Sequence, residues 1–247
     1  MLKMYIKKGI KAILPYGVIV LLQKYKYKKT VIDKRLEKAK LEEHLIKTGI
    51  VHSENIFDTI YKLNTWGNSE AKSGPGSSVR YTKPLRKALP KMWKKYNVNT
   101  FLDAPCGDFN WIQLVNMDSI NYIGCDIVDS VIDNNIKLYS RNNIQFHNLD
   151  ITKDDLPKVD MILCKDCLQH LSNENVYKSL NNFKRSGSKY LLVTSYPLTH
   201  QNWDIKDGDY RPLNLFIEPF NLKFPLEEIK EGSSGGDIDR TEYLIEL

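Results

Sequence analysis

Cysteine is scarce in this sequence, with four among 247 residues, at positions 106, 125, 164 and 167. They do not form the dense, regularly spaced pattern of a small secreted protein, so a reducing cytoplasm is the simpler location. Cys164 and Cys167 form a C-x-x-C pair, but the other two cysteines belong to separate motifs. A zinc site with four ligands is therefore not expected, and we predict no metal site.

Long hydrophobic runs are also missing. The longest apolar stretch of the N-terminal region, residues 12–22, is 11 residues long and contains Pro15 and Gly17. A bilayer crossing needs about 20 residues, so we do not expect a membrane span. Lysines flank the stretch, and residues 1–29 could contact the inner face of a membrane peripherally. Packing on the rest of the chain or in a dimer interface is the alternative.

Positive charge is confined to one end of the chain. Residues 1–48 hold 13 basic and 4 acidic residues, a net charge of +9, whereas the other 199 residues hold 23 basic and 26 acidic residues, a net charge of −3. Nucleic acid is therefore not expected as a partner of the main body.

The glycine patterns that hold pyrophosphate or nucleoside triphosphate are absent. No G-x-G-x-x-G or G-K-[ST] motif occurs anywhere in the sequence. These patterns are typical of dinucleotide-binding folds and P-loop proteins. A nucleotide-dependent oxidoreductase is consequently disfavoured.

Strand and helix patterns alternate from residue 98 onward, which predicts βαβ units and an α/β fold. We expect a doubly wound, Rossmann-like, mostly parallel sheet with an antiparallel C-terminal edge strand, preceded by an N-terminal helical extension. The predicted segments are a basic extension at 1–48, a helical and Gly/Ser-rich segment at 49–97, and a core at 98–247. Strands are predicted near 99–103, 120–126, 143–147, 158–164, 189–194 and 240–246, a further one near 226–230, and helices near 109–117, 129–140 and 173–185.

The connecting segments have their own patterns. Leucines at helical spacing predict a helix over 31–48, and Ser53 is a candidate N-cap for a helix that carries Ile56, Phe57, Ile60 and Tyr61. Residues 66–78 are rich in glycine and serine, which predicts a lid over the site. Residues 198–224 read as a long loop region, and residues 232–236 as a hairpin connection.

The most informative motif is FLDAPCGDFNW at 101–111, followed by YIGCDI at 122–127. The pattern predicts a strand, a tight turn at Gly107, a helix with free N-terminal amides, and a second strand that ends in an acid. Asp126 lies 19 positions after Gly107, a spacing at which its carboxylate can reach the ribose of a bound nucleoside. Asp103 ends the first strand at the same edge of the sheet.

At these residues the chain resembles the class I S-adenosylmethionine-dependent methyltransferases. It keeps the acid and one glycine of their first motif, with Pro105 and Phe109 in place of other glycines. The D-A-P-C-G-D-F-x-W form is similar to a bacterial branch often associated with surface-polysaccharide biosynthesis. The resemblance covers about residues 55–247 and includes IFDTIY at 56–61, WGNSEAKSGPGSS at 66–78, RPLNL at 211–215 and PFNL at 219–222.

The resemblance implies roles for residues around the cofactor, S-adenosyl-L-methionine. Asp103 would hold the methionine amino group and Asp126 both ribose hydroxyls. Asp150 would approach the adenine amino group. The other implied cofactor residues are Ala104, Pro105 and Gly107 beside the methionine part, Ile127 and Ile151 on the adenine ring, and Lys165 after the fourth strand.

The acceptor side is predicted around the loop after the fourth strand. Asp166 and His170 are the titratable groups nearest the expected point of methyl transfer, and a base there would help a hydroxyl acceptor react. A phosphate acceptor would instead require positioning cations. Candidates for acceptor contacts are Trp66 and Ser73 in the lid and the cations Arg80, Lys165 and Arg211.

The sequence therefore predicts a methyltransferase that acts on an oxygen, hydroxyl or phosphate, of a small-molecule or saccharide-linked acceptor. The sulfonium makes the methyl group electrophilic, so the protein has mainly to align the reactants and exclude water. Nitrogen is a weaker option as the acceptor atom. A different class stays open as well: a non-catalytic partner subunit that binds the cofactor and docks an enzyme or membrane through residues 1–48.

Overall fold

The computed structural model describes residues 56–66, 70–231 and 239–247. The predicted helix at 31–48, the Ser53 cap, the membrane contact of residues 1–29 and the connection at 232–236 lie outside these residues and stay predictions. The division of the chain at residues 48 and 97 likewise stays a prediction. Within the described part, no helix is both long enough and apolar enough to cross a membrane.

Seven strands of the described residues form one sheet in the order β3-β2-β1-β4-β5-β7-β6. The first five strands pair in parallel, β7 is antiparallel to β5, and β6 is antiparallel to β7. The predicted doubly wound sheet with an antiparallel C-terminal edge is thus confirmed. The strands are β1 Thr100–Asp103, β2 Asn121–Asp126, β3 Ile144–Asn148, β4 Met161–Cys164, β5 Tyr190–Ser195, β6 Glu227–Lys230 and β7 Thr241–Glu246.

Helices cover the sheet on both faces. In chain order they are α1 Ile56–Lys62, α2 Lys83–Lys95, α3 Asp129–Tyr139 and α4 Asn173–Arg185. The predictions of α1, α3 and α4 are confirmed, whereas α2 was not singled out in the sequence. Ser172 caps α4, because its Oγ accepts a hydrogen bond from the Asn175 amide at 3.3 Å.

The core lies in two layers, one on each face of the sheet. All residues of β4 and β5 are buried, as expected for parallel strands that are covered on both faces. One layer includes Leu85, Leu89 and Trp93 of α2, and the other includes Val176 and Phe183 of α4. This packing fixes the ends of the central strands, from which the site residues project.

The helix predicted near 109–117 is wrong. Phe109 has a φ of 56°, in the left-handed region, and only a 3₁₀ turn at Ile112–Leu114 follows. The Phe109 ring is buried, with its centroid 5.2 Å from that of Tyr122, 5.0 Å from that of Tyr139 and 5.1 Å from that of Phe146. Tertiary packing of this aromatic group outweighs the local helix preference.

Candidate functional site

The candidate site lies at the carboxyl edge of the sheet, where the order of the strands reverses. β1 lies between β2 and β4, and ligands of open α/β sheets bind in the crevice outside such a switch point. The loops after β1, β2 and β4 meet there. Because β7 runs antiparallel to β5, the residues that precede β7 lie at the same edge.

The turn after β1 is tied to the end of β2 through Asp126. The Gly107 amide donates to Asp126 Oδ2 at 3.1 Å, and the Val128 amide donates to Oδ1 at 3.0 Å. Gly107 has a φ of 55°, which glycine adopts at little cost. The two motifs that the sequence paired by spacing are therefore in direct contact.

The absence of a helix after Gly107 changes how this turn is held. The sequence predicted that free amides of a helix N-terminus would face the ligand. Instead, the Gly107 amide is bound to Asp126, and the Asp108 amide donates to Ser73 Oγ at 3.1 Å. Side-chain acceptors thus satisfy these amides, and the turn is held from two sides.

Asp103 and Asp126 are both buried carboxylic acids. Burial raises the pKa of Asp103 to about 7, against a hydrogen bond from Tyr122 and the charge of Lys165, which lower it. The Tyr122 hydroxyl donates to Asp103 Oδ2 at 2.8 Å. Burial likewise raises the pKa of Asp126 to about 6, against its bonds from the amides of Val128 and Gly107. A cationic or hydroxyl-bearing ligand would stabilise the ionised forms.

The segment 66–78, which we call the lid and of which the structure describes residues 66 and 70–78, contacts the turn after β1. The Lys72 amide donates to Asp108 Oδ2 at 2.9 Å, and Ser73 Oγ accepts from the Asp108 amide. Asn110 Nδ2 also donates to the carbonyl oxygen of Ser77, at 3.3 Å. Ser73 therefore contacts the turn after β1, whereas the sequence predicted a contact between Ser73 and the acceptor.

Substitution of Gly107 by alanine is expected to destabilise the protein by about 1–2 kcal/mol. A Cβ atom at this position would lie 2.4 Å from Ser73 Oγ, and the left-handed backbone adds strain. Urea unfolding of the Gly107→Ala variant tests this expectation. The double variant Gly107→Ala/Ser73→Ala separates the two causes. If it recovers the lost free energy of unfolding, the contact with Ser73 Oγ is the cause; if it does not, the left-handed backbone is the cause.

Tyr61 of α1 lies close enough to Asp108 and Asp126 to interact with their charges, although it is not among the site residues predicted from the sequence. Burial, with further contributions from the charges of Asp108 and Asp126, raises the pKa of Tyr61 to about 12. Lys72 Nζ lies 5.3 Å from the centre of the Tyr61 ring. The signal available in the sequence was its place in the segment 56–61 that resembles the bacterial branch.

His170 lies within a group of aromatic rings on the acceptor side. Its ring stacks on Trp66 at 4.2 Å between centroids and lies 5.6 Å from Tyr210. His170 Nδ1 is 2.9 Å from the carbonyl oxygen of Asp209. Because a carbonyl can only accept, we assign the proton to Nδ1, which puts the basic lone pair on Nε2. The structure thus brings the predicted Trp66 and His170 together.

Asp166 belongs to a group of four charged side chains, which we call the ion cluster: Lys165, Asp166, Glu231 and Arg240. Arg240 Nη1 lies 3.1 Å from Asp166 Oδ2, and Lys165 Nζ contacts the same oxygen. Burial alone would raise the pKa of Asp166, but Lys165 and Arg240 lower it to about 2. The predicted role of Asp166 as a base is therefore corrected: a carboxylate with this pKa is a weak proton acceptor near neutral pH.

The two arginines predicted to contact the acceptor lie in very different places. Arg211 is fully buried, and its guanidinium donates to the carbonyl oxygen of Leu171 and, at 2.9 Å, to Asn173 Oδ1. It joins the loop before β6 to the start of α4, so its assignment as an acceptor-binding cation is corrected. Arg80 is exposed after the lid.

The residues predicted around adenine follow β2 and β3. Asp150 Oδ1 accepts from the amide and the hydroxyl of Thr152, at 2.8 and 2.7 Å, so the side chain caps its own loop. Ile151 is buried in the core layer beside α4, and Ile127 is half-buried after β2. The adenine contacts of these residues remain predictions. Ala104 is buried, and Pro105 is half-buried in the turn after β1.

The described part of the chain consists of residues 56–66, 70–231 and 239–247. This part of the chain contains no group of three or more His, Cys, Asp or Glu side chains that could hold a metal ion. Burial raises the pKa of the Cys164 thiol well above its ordinary value. A cavity of about 590 Å³ lies at the opposite, amino edge of the sheet and includes none of the predicted site residues.

Arg240 is the main residue that sequence reasoning missed. It lies at the carboxyl edge because it directly precedes an antiparallel strand that pairs with β5. The predicted strand at 240–246 and its antiparallel edge were sufficient to place it there. The cations predicted from the sequence are Arg80, Lys165 and Arg211, and Arg240 is not among them.

The sequence matches no known family model and no curated protein, but solved structures resemble the chain. The N-methyltransferase NodS of Bradyrhizobium japonicum WM9, in complex with S-adenosyl-L-homocysteine, is 10% identical, with a TM-score of 0.57 over 76% of this chain and 97% of its own. Human N-acetylserotonin methyltransferase, in complex with SAM, is 14% identical, with a TM-score of 0.51 over 81% of this chain and 61% of its own.

The methyltransferase domain of bacterial CtHen1-CN is a further neighbour, 15% identical, with a TM-score of 0.51 over 68% of this chain and all of its own. Identities this low support a shared fold rather than a shared acceptor. The strand order, the antiparallel edge and the switch-point crevice agree with these likenesses. The chain has the fold of the class I S-adenosylmethionine-dependent methyltransferases.

Proposed function

We propose that this protein transfers a methyl group from S-adenosyl-L-methionine to an oxygen of a small-molecule or saccharide-linked acceptor, in bacterial surface-glycan biosynthesis. The observation that carries the proposal is the pair of buried carboxylates, Asp103 and Asp126, at the ends of neighbouring strands around the Gly107 turn. Cofactor-bound neighbours with the same fold support the choice of cofactor.

The donor set of the crevice fits this cofactor. Asp103 offers a carboxylate to the methionine ammonium, and the carboxylate of Asp126, which accepts from the amides of Val128, Gly107 and Ile127, can also accept from a ribose hydroxyl. When bound, the cofactor supplies an electrophilic methyl group on a sulfonium. The protein has to orient the acceptor and keep water out, to which the lid contributes.

The charges on the acceptor side favour a hydroxyl over a phosphate. Lys165 and Arg240 already face Asp166 and Glu231, so the ion cluster carries no clear excess of positive charge. Arg211 is committed to backbone and side-chain oxygens. A neutral hydroxyl needs a base instead, and we assign that role to His170 Nε2. It would take the hydroxyl proton as the oxygen bonds to the methyl carbon and the bond from that carbon to sulfur breaks, which leaves S-adenosyl-L-homocysteine.

Calorimetric titration with S-adenosyl-L-homocysteine tests the cofactor, with NAD as the control ligand. We expect micromolar binding, about −8 kcal/mol, and no comparable binding of NAD. Methyl transfer from labelled cofactor to sugar hydroxyls and sugar phosphates then tests the acceptor. If the folded protein does not bind S-adenosyl-L-homocysteine, the proposal is contradicted. Binding without transfer to any acceptor would favour the partner-subunit alternative.

Affinity for S-adenosyl-L-homocysteine is expected to fall as the pH drops below about 7. The Asp103 pKa of about 7 means that the free protein holds a proton there at lower pH, and the ligand's ammonium favours the ionised form. Binding therefore releases a proton and should weaken about tenfold per pH unit below that value. Titrations from pH 5.5 to 8.5 in buffers of different ionisation enthalpy measure this.

The isosteric Asp103→Asn variant is the control for this pH dependence. It should bind more weakly at pH 8 and lose the step near pH 7. A lower step from Asp126, whose pKa is about 6, should remain. A pH dependence in Asp103→Asn equal to that of the unaltered protein would show that another group is responsible.

A further inference from the structure

The lid is anchored on both sides of the crevice. On the cofactor side, Lys72 and Ser73 bind Asp108 in the turn after β1. On the acceptor side, Lys165 Nζ donates to the carbonyl oxygen of Gly76 at 3.2 Å. The lid therefore bridges the loops after β1 and β4, between which ligands of this fold bind.

The acceptor-side anchor rests on the ion cluster. Lys165 Nζ also contacts Asp166 and lies 3.2 Å from Glu231 Oε2. Arg240 binds the same two acids, through Nη1 to Asp166 at 3.1 Å and through Nε to Glu231 at 3.3 Å. Asp166 and Glu231 are thus shared, and Arg240 helps to hold the lysine that faces the lid.

Gly76 packs directly against this cluster. A Cβ atom there would lie 2.3 Å from Asp166 Oδ2 and 2.6 Å from Arg240 Nη1. Lys165 and Arg240 are both buried under the lid in this conformation. The lack of a side chain at position 76 is therefore a condition for the lid to close on the cluster.

We propose that Arg240 and Lys165 are positioning residues that hold the lid closed and thereby slow the release of the cofactor product. The proposal rests on the proposed function, because it takes S-adenosyl-L-homocysteine as the retained ligand. Arg240 acts through the two shared acids, and Lys165 acts on the Gly76 carbonyl itself. Without the Lys165 bond the Gly76 part of the lid loses this anchor, while Trp66 still stacks on His170.

Surface plasmon resonance with S-adenosyl-L-homocysteine on the full chain tests this proposal. In Arg240→Gln we expect the dissociation rate to rise about tenfold, because a buried charged contact is lost, with recovery toward the unaltered rate in Arg240→Lys. Gly76→Ala should raise it as well, without removing a charge. The matched control is Arg185→Gln, which removes a surface ion pair with Asp155 and should leave the rate unchanged.

The outcomes distinguish the proposal from its premise. If the unaltered protein does not bind the ligand, the proposed function fails. If it binds and both Arg240→Gln and Gly76→Ala keep its dissociation rate, the lid role of the cluster is overturned. If Arg240→Gln does not fold by circular dichroism, Gly76→Ala decides, because the backbone at Gly76 is not left-handed and the substitution removes no charge from the cluster. A loss of unfolding free energy with an unchanged dissociation rate would indicate a purely structural role.

Discussion

Replacing Asp126 with alanine is expected to weaken the binding of S-adenosyl-L-homocysteine about a hundredfold or more, because two hydrogen bonds to a charged group are lost. Asp126 is buried at the end of β2, where burial raises its pKa to about 6 and the backbone amides of Val128, Gly107 and Ile127 bind it. The same substitution leaves the amides of Gly107 and Val128 without these acceptors. A second effect, on the shape of the turn after β1, is therefore expected.

The experiment has to separate the lost ribose contacts from a distorted turn. Asp126→Asn keeps an oxygen acceptor for one amide, so it should bind the ligand more tightly than Asp126→Ala while staying weaker than the unaltered protein. Asp133→Ala, on the exposed face of α3, is the matched control. Titration calorimetry and urea unfolding on all four proteins provide the comparison. Near-normal binding by Asp126→Ala would remove the ribose assignment.

The fold could be predicted from the sequence because its signals are local and strong. Buried strands such as β4 and β5 are short apolar runs between polar turns, and α3 and α4 repeat apolar residues at helical spacing. Placing Asp103 and Asp126 side by side needed only the rule that carboxyl ends of parallel strands share an edge. The contact through Gly107 agrees with that reasoning.

The failures concern residues whose surroundings come from distant parts of the chain. The helix at 109–117 was predicted from local pattern, but Phe109 is fixed by Tyr122, Tyr139 and Phe146. Arg211 was predicted to contact the acceptor and is buried against the start of α4. Such contacts depend on sequence separations that periodicity does not encode.

The pKa of Asp166 also depends on a residue that is distant in the sequence. Its place after β4 and its neighbour Lys165, whose charge lowers the pKa of Asp166 most, are visible in the sequence, but the second cation, Arg240, lies 74 positions away. A carboxylate near a reacting group is a candidate base only if its neighbours leave it unpaired. Here Asp166 is paired with Lys165 and Arg240 and helps them to hold the lid. His170 is therefore the stronger candidate for the base.

Replacing His170 with asparagine is therefore expected to lower kcat about a hundred- to ten-thousandfold with a hydroxyl acceptor. The affinity for S-adenosyl-L-homocysteine should stay close to that of the unaltered protein, because His170 lies on the acceptor side, stacked on Trp66. The Asp209 carbonyl at Nδ1 fixes which nitrogen is basic, so the loss concerns the proton acceptor and not only a contact. The measurement is steady-state kinetics with the acceptor identified by the labelled-cofactor screen.

Trp66→Leu separates proton transfer from ring stacking. It removes the aromatic partner and keeps the imidazole, so it should raise the KM for the acceptor more than it lowers kcat. A kcat in His170→Asn within about tenfold of the unaltered value would be too small a loss for a general base. That result would indicate an acceptor oxygen that is already ionised, such as a phosphate, and a cation of the protein would then have to position it.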